Sequence, residues 1–447
     1  MPRLLHLLRP KTAGHLAFLF ACYALFATIA IAVIMPPLQA ADEGAHAARA
    51  ESIAHGVLID QRNADGGTAG AVVSQGLSEL DAAFLPLKFH PFRKVDAPMR
   101  AAATTIPTGR RVWMDFPNTA IYPPVFYVPA AIGFRLGAFL HASEWHSILL
   151  GRLLTAFASI AVASAAIALA GRFSPFLFTL LCLPMTLGLF AAVSQDGLMI
   201  GCSALGIVLL AREKRPAFIV GCVLLTAVAM ARPPYLPLCV LPLLVSSRCW
   251  IERAAGAGFV AAGVFGWTAL TARLTLPPEA PAHIAAQLAA IRQHPASVLH
   301  VAWNTLHLEL VNGLPVGREF IGVLGWLDTT LPNLFYALAG IVLLTAATWS
   351  GGCRPDRNPL RPAVAALAIV TAIGLIYAAQ YLDWSPIGGP RVEGVQGRYF
   401  LALAPALLFV LPKRTVPPRA ILLVIASFPL LSVAVTIRAV IVRYGVF

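Results

Sequence analysis

Apolar stretches as long as a lipid bilayer is thick recur along this chain, starting near residues 14, 121, 149, 175, 198, 217, 235, 255, 334, 363, 399 and 420. Inside hydrocarbon every backbone N–H and C=O needs a partner within the chain, and a helix provides one at a rise of about 1.5 Å per residue. About 20 apolar residues then cross the core. The stretches predict an all-α integral membrane protein, a single polytopic domain over residues 1–447 with about 11–12 transmembrane helices. Composition agrees: 58% of residues are hydrophobic and 12% charged, too few to give a globule of this size a polar coat.

A net charge of +13 would suit nucleic acid if it were gathered on one face, but the basic residues form short clusters between apolar runs, such as Arg212, Lys214 and Arg215, or Lys413 and Arg414. That pattern sets topology and meets lipid headgroups, so membrane lipids and no nucleic acid are the expected partners. The N-terminus has the outline of a signal peptide, basic up to Lys11 and apolar from Gly14 to Met35, with Leu38-Gln39-Ala40 resembling a cleavage site. The run is long enough to span and further spans follow, which argues for an uncleaved first helix with its basic end in the cytoplasm.

Two gaps are long, residues 36–118 and 276–332. Placing the basic connectors 212–216, 248–253, 354–361 and 413–419 in the cytoplasm puts 276–332, the turns at Asp196 and Arg232, and segment 383–398 outside. The gap 36–118 becomes a long first extracytoplasmic loop. Counting forward from a cytoplasmic N-terminus puts Asp196 on the opposite side, so one early segment must fail to cross. The expected one is 121–140, interrupted by Pro123, Pro124 and Pro129 and carrying Arg135, as a re-entrant or interfacial piece. Residues 63–70 read as plain loop. None of the seven cysteines lies in either long gap, so no disulfide framework or C-x-x-C metal site is offered.

Ionisable groups held at the bilayer edge are the first candidates for chemistry. Pro36 and Pro37 end the first span, and on a helix following them Asp42, His46 and Arg49 share a face at i, i+4 and i+7. A carboxylate there, Asp42 or its neighbour Glu43, suits a base acting on a hydroxyl; the spacing equally describes an interfacial helix with solvated charges. Asp196, in Ser194-Gln195-Asp196-Gly197, is a second functional carboxylate or the N-cap of a helix starting at Gly197. Arg152, Arg232 and the run Gln396-Gly397-Arg398-Tyr399 offer anion contacts through guanidinium forks, or else snorkel to headgroups. Trp326 and Asp328 read as an interfacial anchor and a cap.

These residues carry a resemblance. Pro36-Pro37-Leu38-Gln39 with Asp42-Glu43 and His46, Tyr122-Pro123-Pro124 with Tyr127, Arg152-Leu153, Ser194-x-Asp196, residues 322–328 with Leu331-Pro332, and Gln396-Gly397-Arg398-Tyr399-Phe400 resemble, in order, family 2142 of the domains of unknown function, a set of bacterial multi-spanning membrane proteins. One departure is Ala40-Ala41 before Asp42, where the family's usual residue is proline. The family is similar to GT-C glycosyltransferases, which move a sugar from a polyprenyl-phosphate carrier using a carboxylate of the first external loop as base. The resemblance implies a GT-C-like bundle in the bacterial inner membrane and an inverting transfer to a cell-surface glycan or lipid acceptor. Asp42 or Glu43 would be the base and His46 would orient it or share the proton. Arg152, Arg232 and Arg398 would hold the lipid phosphate, and Arg49, Tyr122, Asp196, Asp328, Gln396 and Tyr399 would complete the substrate site. No cofactor is required; a divalent cation between Asp42 and Asp196 is the one option considered. Two rivals are a transporter or flippase of lipid-linked saccharides, which should show repeated halves or acids in mid-helix, and a non-catalytic component of a polysaccharide assembly system, which needs no acidic pair. The sequence shows neither repeats nor mid-helix acids.

Overall fold

The computed structural model describes residues 12–63, 68–212, 214–275, 279–351, 360–412 and 417–445. The basic N-terminal residues, Cys353 and the basic connectors at 354–359 and 413–416 lie outside the described residues.

The protein is an α-helical bundle. Helix α1 (Thr12–Ile34) is followed by α2 (Glu43–Ala54), strands β1 (Gln61–Arg62) and β2 (Ala69–Ser74), α3 (Gln75–Phe84), α4 (Ala97–Thr105) and β3 (Arg111–Asp115). After a short turn α5 (Pro117–Ala120) come α6 (Val128–Phe139), α7 (Glu144–Leu169), α8 (Ser174–Leu181), α9 (Pro184–Phe190), α10 (Gln195–Leu210), α11 (Arg215–Ala231) and α12 (Trp250–Leu274). The chain continues through α13 (Glu279–Gln293), α14 (Ser297–Val311), α15 (Pro315–Gly322), α16 (Asn333–Trp349), α17 (Leu360–Asp383) and α18 (Arg419–Tyr444).

Five described helices, α1, α7, α12, α17 and α18, are individually long and apolar enough to cross a membrane, and α8 with α9 makes a sixth apolar unit bent by 79°. The bend has a local cause. Pro184 opens α9 and has no N–H to continue the ladder of α8. Shorter apolar helices supply the other apolar stretches seen in the sequence, among them 124–139, α10, α11, 233–244, α16 and 397–409. At about 1.5 Å per residue, the twelve residues of α6 reach about 18 Å, short of a bilayer core. The stretch at 235 is not an α-helix: Pro233, Pro234, Pro237 and Pro242 remove donors, and Pro233–Leu244 winds as a 3-10 helix. Outward-facing Phe18, Phe26, Ile132, Phe265, Leu344 and Val370 clothe the bundle in apolar surface, as lipid as solvent requires.

Both long gaps are structured rather than loose. Residues 36–118 hold α2, α3, α4 and a three-stranded antiparallel sheet in the order β1-β2-β3. Within it Gly70 pairs with Asp115 and Val72 with Trp113. A Cβ at Gly70 would meet the Met114 carbonyl at 2.0 Å, so glycine is what lets β2 approach β3 there. The stretch read as plain loop at 63–70 thus overlaps the β1–β2 pairing at Arg62 and Ala69; residues 64–67 lie outside the described residues. The second gap folds as α13, α14 and α15, and α14 turns Leu299, Trp303, Leu306 and Leu310 outward as one apolar stripe.

Candidate active site

The site begins where α1 ends. Pro36 and Pro37 stop the helix, and Leu38 and Asp42 both adopt left-handed backbone, at φ 59° and 61°. Aspartate tolerates that region far better than leucine does. The kink folds the chain back so that α2 starts directly behind Asp42, whose carbonyl accepts the N–H of His46 at 3.1 Å.

The acidic neighbours Asp42 and Glu43 have opposite environments. Glu43 is fully buried and gripped by Arg152 of α7, with Nε on Oε1 at 2.8 Å and Nη2 on Oε2 at 2.6 Å. The same arginine donates to the Ala32, Met35 and Pro36 carbonyls at 2.9, 2.7 and 2.9 Å, capping the C-terminus of α1. The Val193 N–H adds a bond to Glu43 Oε1 at 3.0 Å. Every nitrogen of the Arg152 fork is engaged, so its geometry is that of a clamp between α1, α2 and α7 rather than of an open phosphate contact.

Asp42 keeps 31% of its side chain exposed and pairs with Arg398 of the 3-10 turn Gly397–Phe400. Arg398 is 3% exposed, donates to the Ala41 carbonyl at 3.1 Å and reaches Asp196 at 3.8 Å. Arg232 closes the chain on the other oxygen of Asp196 at 2.9 Å. Asp42, Arg398, Asp196 and Arg232, far apart in sequence, therefore form one alternating row of charges. Asp196 is free for it because Ser194 caps α10, its hydroxyl accepting the Asp196 N–H at 3.1 Å. Tyr399 lies under the Arg232 guanidinium at 4.2 Å, and its carbonyl accepts the Tyr235 hydroxyl at 2.6 Å. Burial, the largest single effect, would raise the pKa of Asp42; Arg398, His46 and Lys88 together outweigh it and hold the carboxyl below the usual aspartate range.

The face expected to carry Asp42, His46 and Arg49 together is split. Arg49 is turned into a buried ion pair with Asp60 at 2.8 Å and also binds the Leu58 and Tyr122 carbonyls at 2.7 and 3.0 Å. His46 is 4% exposed, stacks on Tyr122 with ring centroids 6.1 Å apart, and sets Nδ1 2.6 Å from the Tyr127 hydroxyl. Burial pushes its pKa down to about 4, so at neutral pH it is an uncharged imidazole. The unfolded chain, with an ordinary histidine, takes up a proton near pH 6.5 that the folded one refuses until about pH 4. Stability therefore falls as pH drops through this window, by roughly 2 kcal/mol between pH 8 and pH 5. Thermal melts at those two pH values should show a larger acid-induced drop for the wild type than for His46→Gln; equal drops would place the titration elsewhere.

Asp328 joins the C-terminal helix, its Oδ2 taking Arg443 Nη2 at 2.7 Å. Gln396 precedes Arg398 with a buried Oε1 that has no hydrogen-bond partner among the described residues. Trp326 is not a free interfacial anchor: it borders a cavity of about 210 Å³ that also contacts Asp42, and Lys88 lies 3.5 Å above its ring. Lys88, Asp81, Asp115 and Asn118 line this cavity too; no motif marks them, because only the β2–β3 pairing and the packing of α3 bring them beside Asp42. A divalent cation does not fit between Asp42 and Asp196: the Arg398 guanidinium already bridges them, and among the described residues no group of three or more His, Cys, Asp or Glu is placed to hold a metal ion.

A bundle of apolar helices of spanning length, with charged side chains from four distant segments gathered into one row, defines a multi-pass membrane protein. Over residues 25–407 the chain matches the family described as predicted membrane protein (DUF2142), and it belongs to that family. Searches of curated proteins and of solved structures returned no match.

Proposed function

We propose that this protein is an inverting glycosyltransferase of the GT-C type, moving a sugar from a polyprenyl-phosphate carrier to a hydroxyl of a cell-surface glycan or lipid. The observation that carries the reading is Asp42, a carboxylate held ionised by Arg398 at the wall of a polar cavity just beyond the first apolar helix. The acceptor oxygen attacks the anomeric carbon as its proton passes to Asp42. The bond from that carbon to the phosphate oxygen breaks, and its electron pair leaves on the phosphate. Arg398, whose buried Nε has no hydrogen-bond partner among the described residues, and Arg232 are the guanidinium groups that would meet this growing charge. Glu43 and Arg152 support the site instead of acting in it. Cells lacking the protein should accumulate a polyprenyl-phosphate sugar, read by mass spectrometry of extracted lipids; an unchanged lipid profile would sink the proposal.

The reading places the protein in a bacterial inner membrane with residues 36–118 and 276–332 both extracytoplasmic, on the side where the lipid-linked sugar is displayed. In a cysteine-free background, an impermeant thiol reagent applied outside should label Phe92→Cys and His294→Cys, both exposed positions, and spare Arg212→Cys. Labelling of the last would reverse the topology.

A further inference from the structure

The cavity beside Asp42 is weighted toward hydrogen-bond acceptors. Gln39 is 2% exposed, and its Nε2 is directed at the Pro37 and Phe84 carbonyls at 3.4 and 3.3 Å. That sets which end of the amide is which, and leaves Oε1 buried without a donor among the described residues. Asp42, Asp81 and Asp115 add carboxylates, which accept and do not donate when ionised. Each is held in place: Asp115 by the β2–β3 register and by Trp113 Nε1 at 2.8 Å, Asp81 by its approach to α2 at Gly44, where a Cβ would stand 3.0 Å from Oδ1. Lys88 is the one cationic side chain on the wall. Asn118 adds an amide, and Trp326 an indole whose buried N–H has no hydrogen-bond partner among the described residues. A surface rich in acceptors and edged by an aromatic ring is complementary to a ligand rich in donors that also has an apolar face. A sugar ring is such a ligand, with hydroxyls around its rim and C–H groups on its faces. A volume of about 210 Å³ suits one ring rather than a lipid tail.

We propose that this cavity binds a single neutral or amino-bearing sugar ring as the acceptor end of the transfer, with Asp81 and Asp115 taking hydrogen bonds from its hydroxyls or ammonium and the Trp326 indole bordering it. The assignment rests on the glycosyltransferase reading for its role, and it excludes acidic acceptors, because Asp42 is already paired with Arg398 and the remaining Asp81 and Asp115 outnumber the one ammonium, so a uronate or a phosphate is repelled. Binding is tested without any donor lipid, so its outcome is separable from that of transfer. Purified full-length protein in detergent is titrated with methyl glycosides of glucose, galactose, mannose, N-acetylglucosamine, glucosamine and glucuronic acid, followed by saturation-transfer NMR. At least one neutral or amino glycoside should bind saturably, weaken about tenfold in Asp81→Asn and in Trp326→Phe, and exceed the glucuronide by about tenfold or more. No binding across the panel, equal binding of the glucuronide, or binding indifferent to both substitutions overturns the assignment. Binding as expected without any transfer would leave the subsite standing and remove the catalytic reading. Transfer without such binding would do the reverse.

Discussion

Asp42→Asn should cut sugar transfer by about 100-fold to 10,000-fold, the usual loss when a general base is removed, while yield and melting temperature stay near wild type. The side chain keeps 31% of its surface exposed, and an amide of the same shape can still accept from Arg398. What disappears is the capacity to take a proton. Because Arg398, His46 and Lys88 together outweigh the effect of burial on this carboxyl, the acidic limb of the rate profile should lie below the ordinary aspartate range, and activity should not fall between pH 8 and pH 5 through loss of the base. Removing the guanidinium in Arg398→Ala takes away the largest effect that opposes burial, so in that variant the limb should move to higher pH. Near-normal transfer by Asp42→Asn in a reconstituted assay would end the catalytic reading of this residue.

How much of this was written in the sequence depends on distance along the chain. The apolar runs made the membrane class legible, since each run is local and hydropathy alone decides it. The bend between α8 and α9 and the 3-10 course of Pro233–Leu244 had a visible cause in their prolines, yet a run of the right length conceals where the ladder breaks. At the site, the residue types Asp42, Asp196, Arg232 and Arg398 could be read from the motifs. Their pairing could not, because a guanidinium bridging two carboxylates 154 residues apart is a tertiary fact. The helical spacing of Asp42, His46 and Arg49 misled for a physical reason: Asp42 precedes α2 in left-handed backbone, and Arg49 finds a nearer partner in Asp60. The cavity wall was the least legible part. Lys88, Asp81, Asp115 and Asn118 come from a segment whose sequence looks like ordinary polar connection, and they gain meaning only once β3 pairs with β2.

The neighbouring carboxylate should behave in the opposite way to Asp42. Glu43 and Arg152 are both fully buried and face each other through two parallel hydrogen bonds, so removing either partner strands a charge where water cannot reach it. Breaking a buried pair of this kind costs about 3–5 kcal/mol. Glu43→Ala should therefore lower the melting temperature and the yield of membrane-inserted protein sharply. Arg152→Met should do so as well, because the Ala32, Met35 and Pro36 carbonyls lose their donors too. The two effects share one interaction, so the double variant Glu43→Ala with Arg152→Met should be less damaged than the sum of the singles. A loss of transfer in Glu43→Gln follows from the same clamp: an amide cannot match the charge of the guanidinium, α2 loosens from α7, and Asp42 loses the anchored helix start behind it. The separation of the two acids is thus read from stability and activity together. If Glu43→Ala folds with wild-type yield and melting temperature yet transfers no sugar, Glu43 is the base, and Asp42 only sets the position of Arg398.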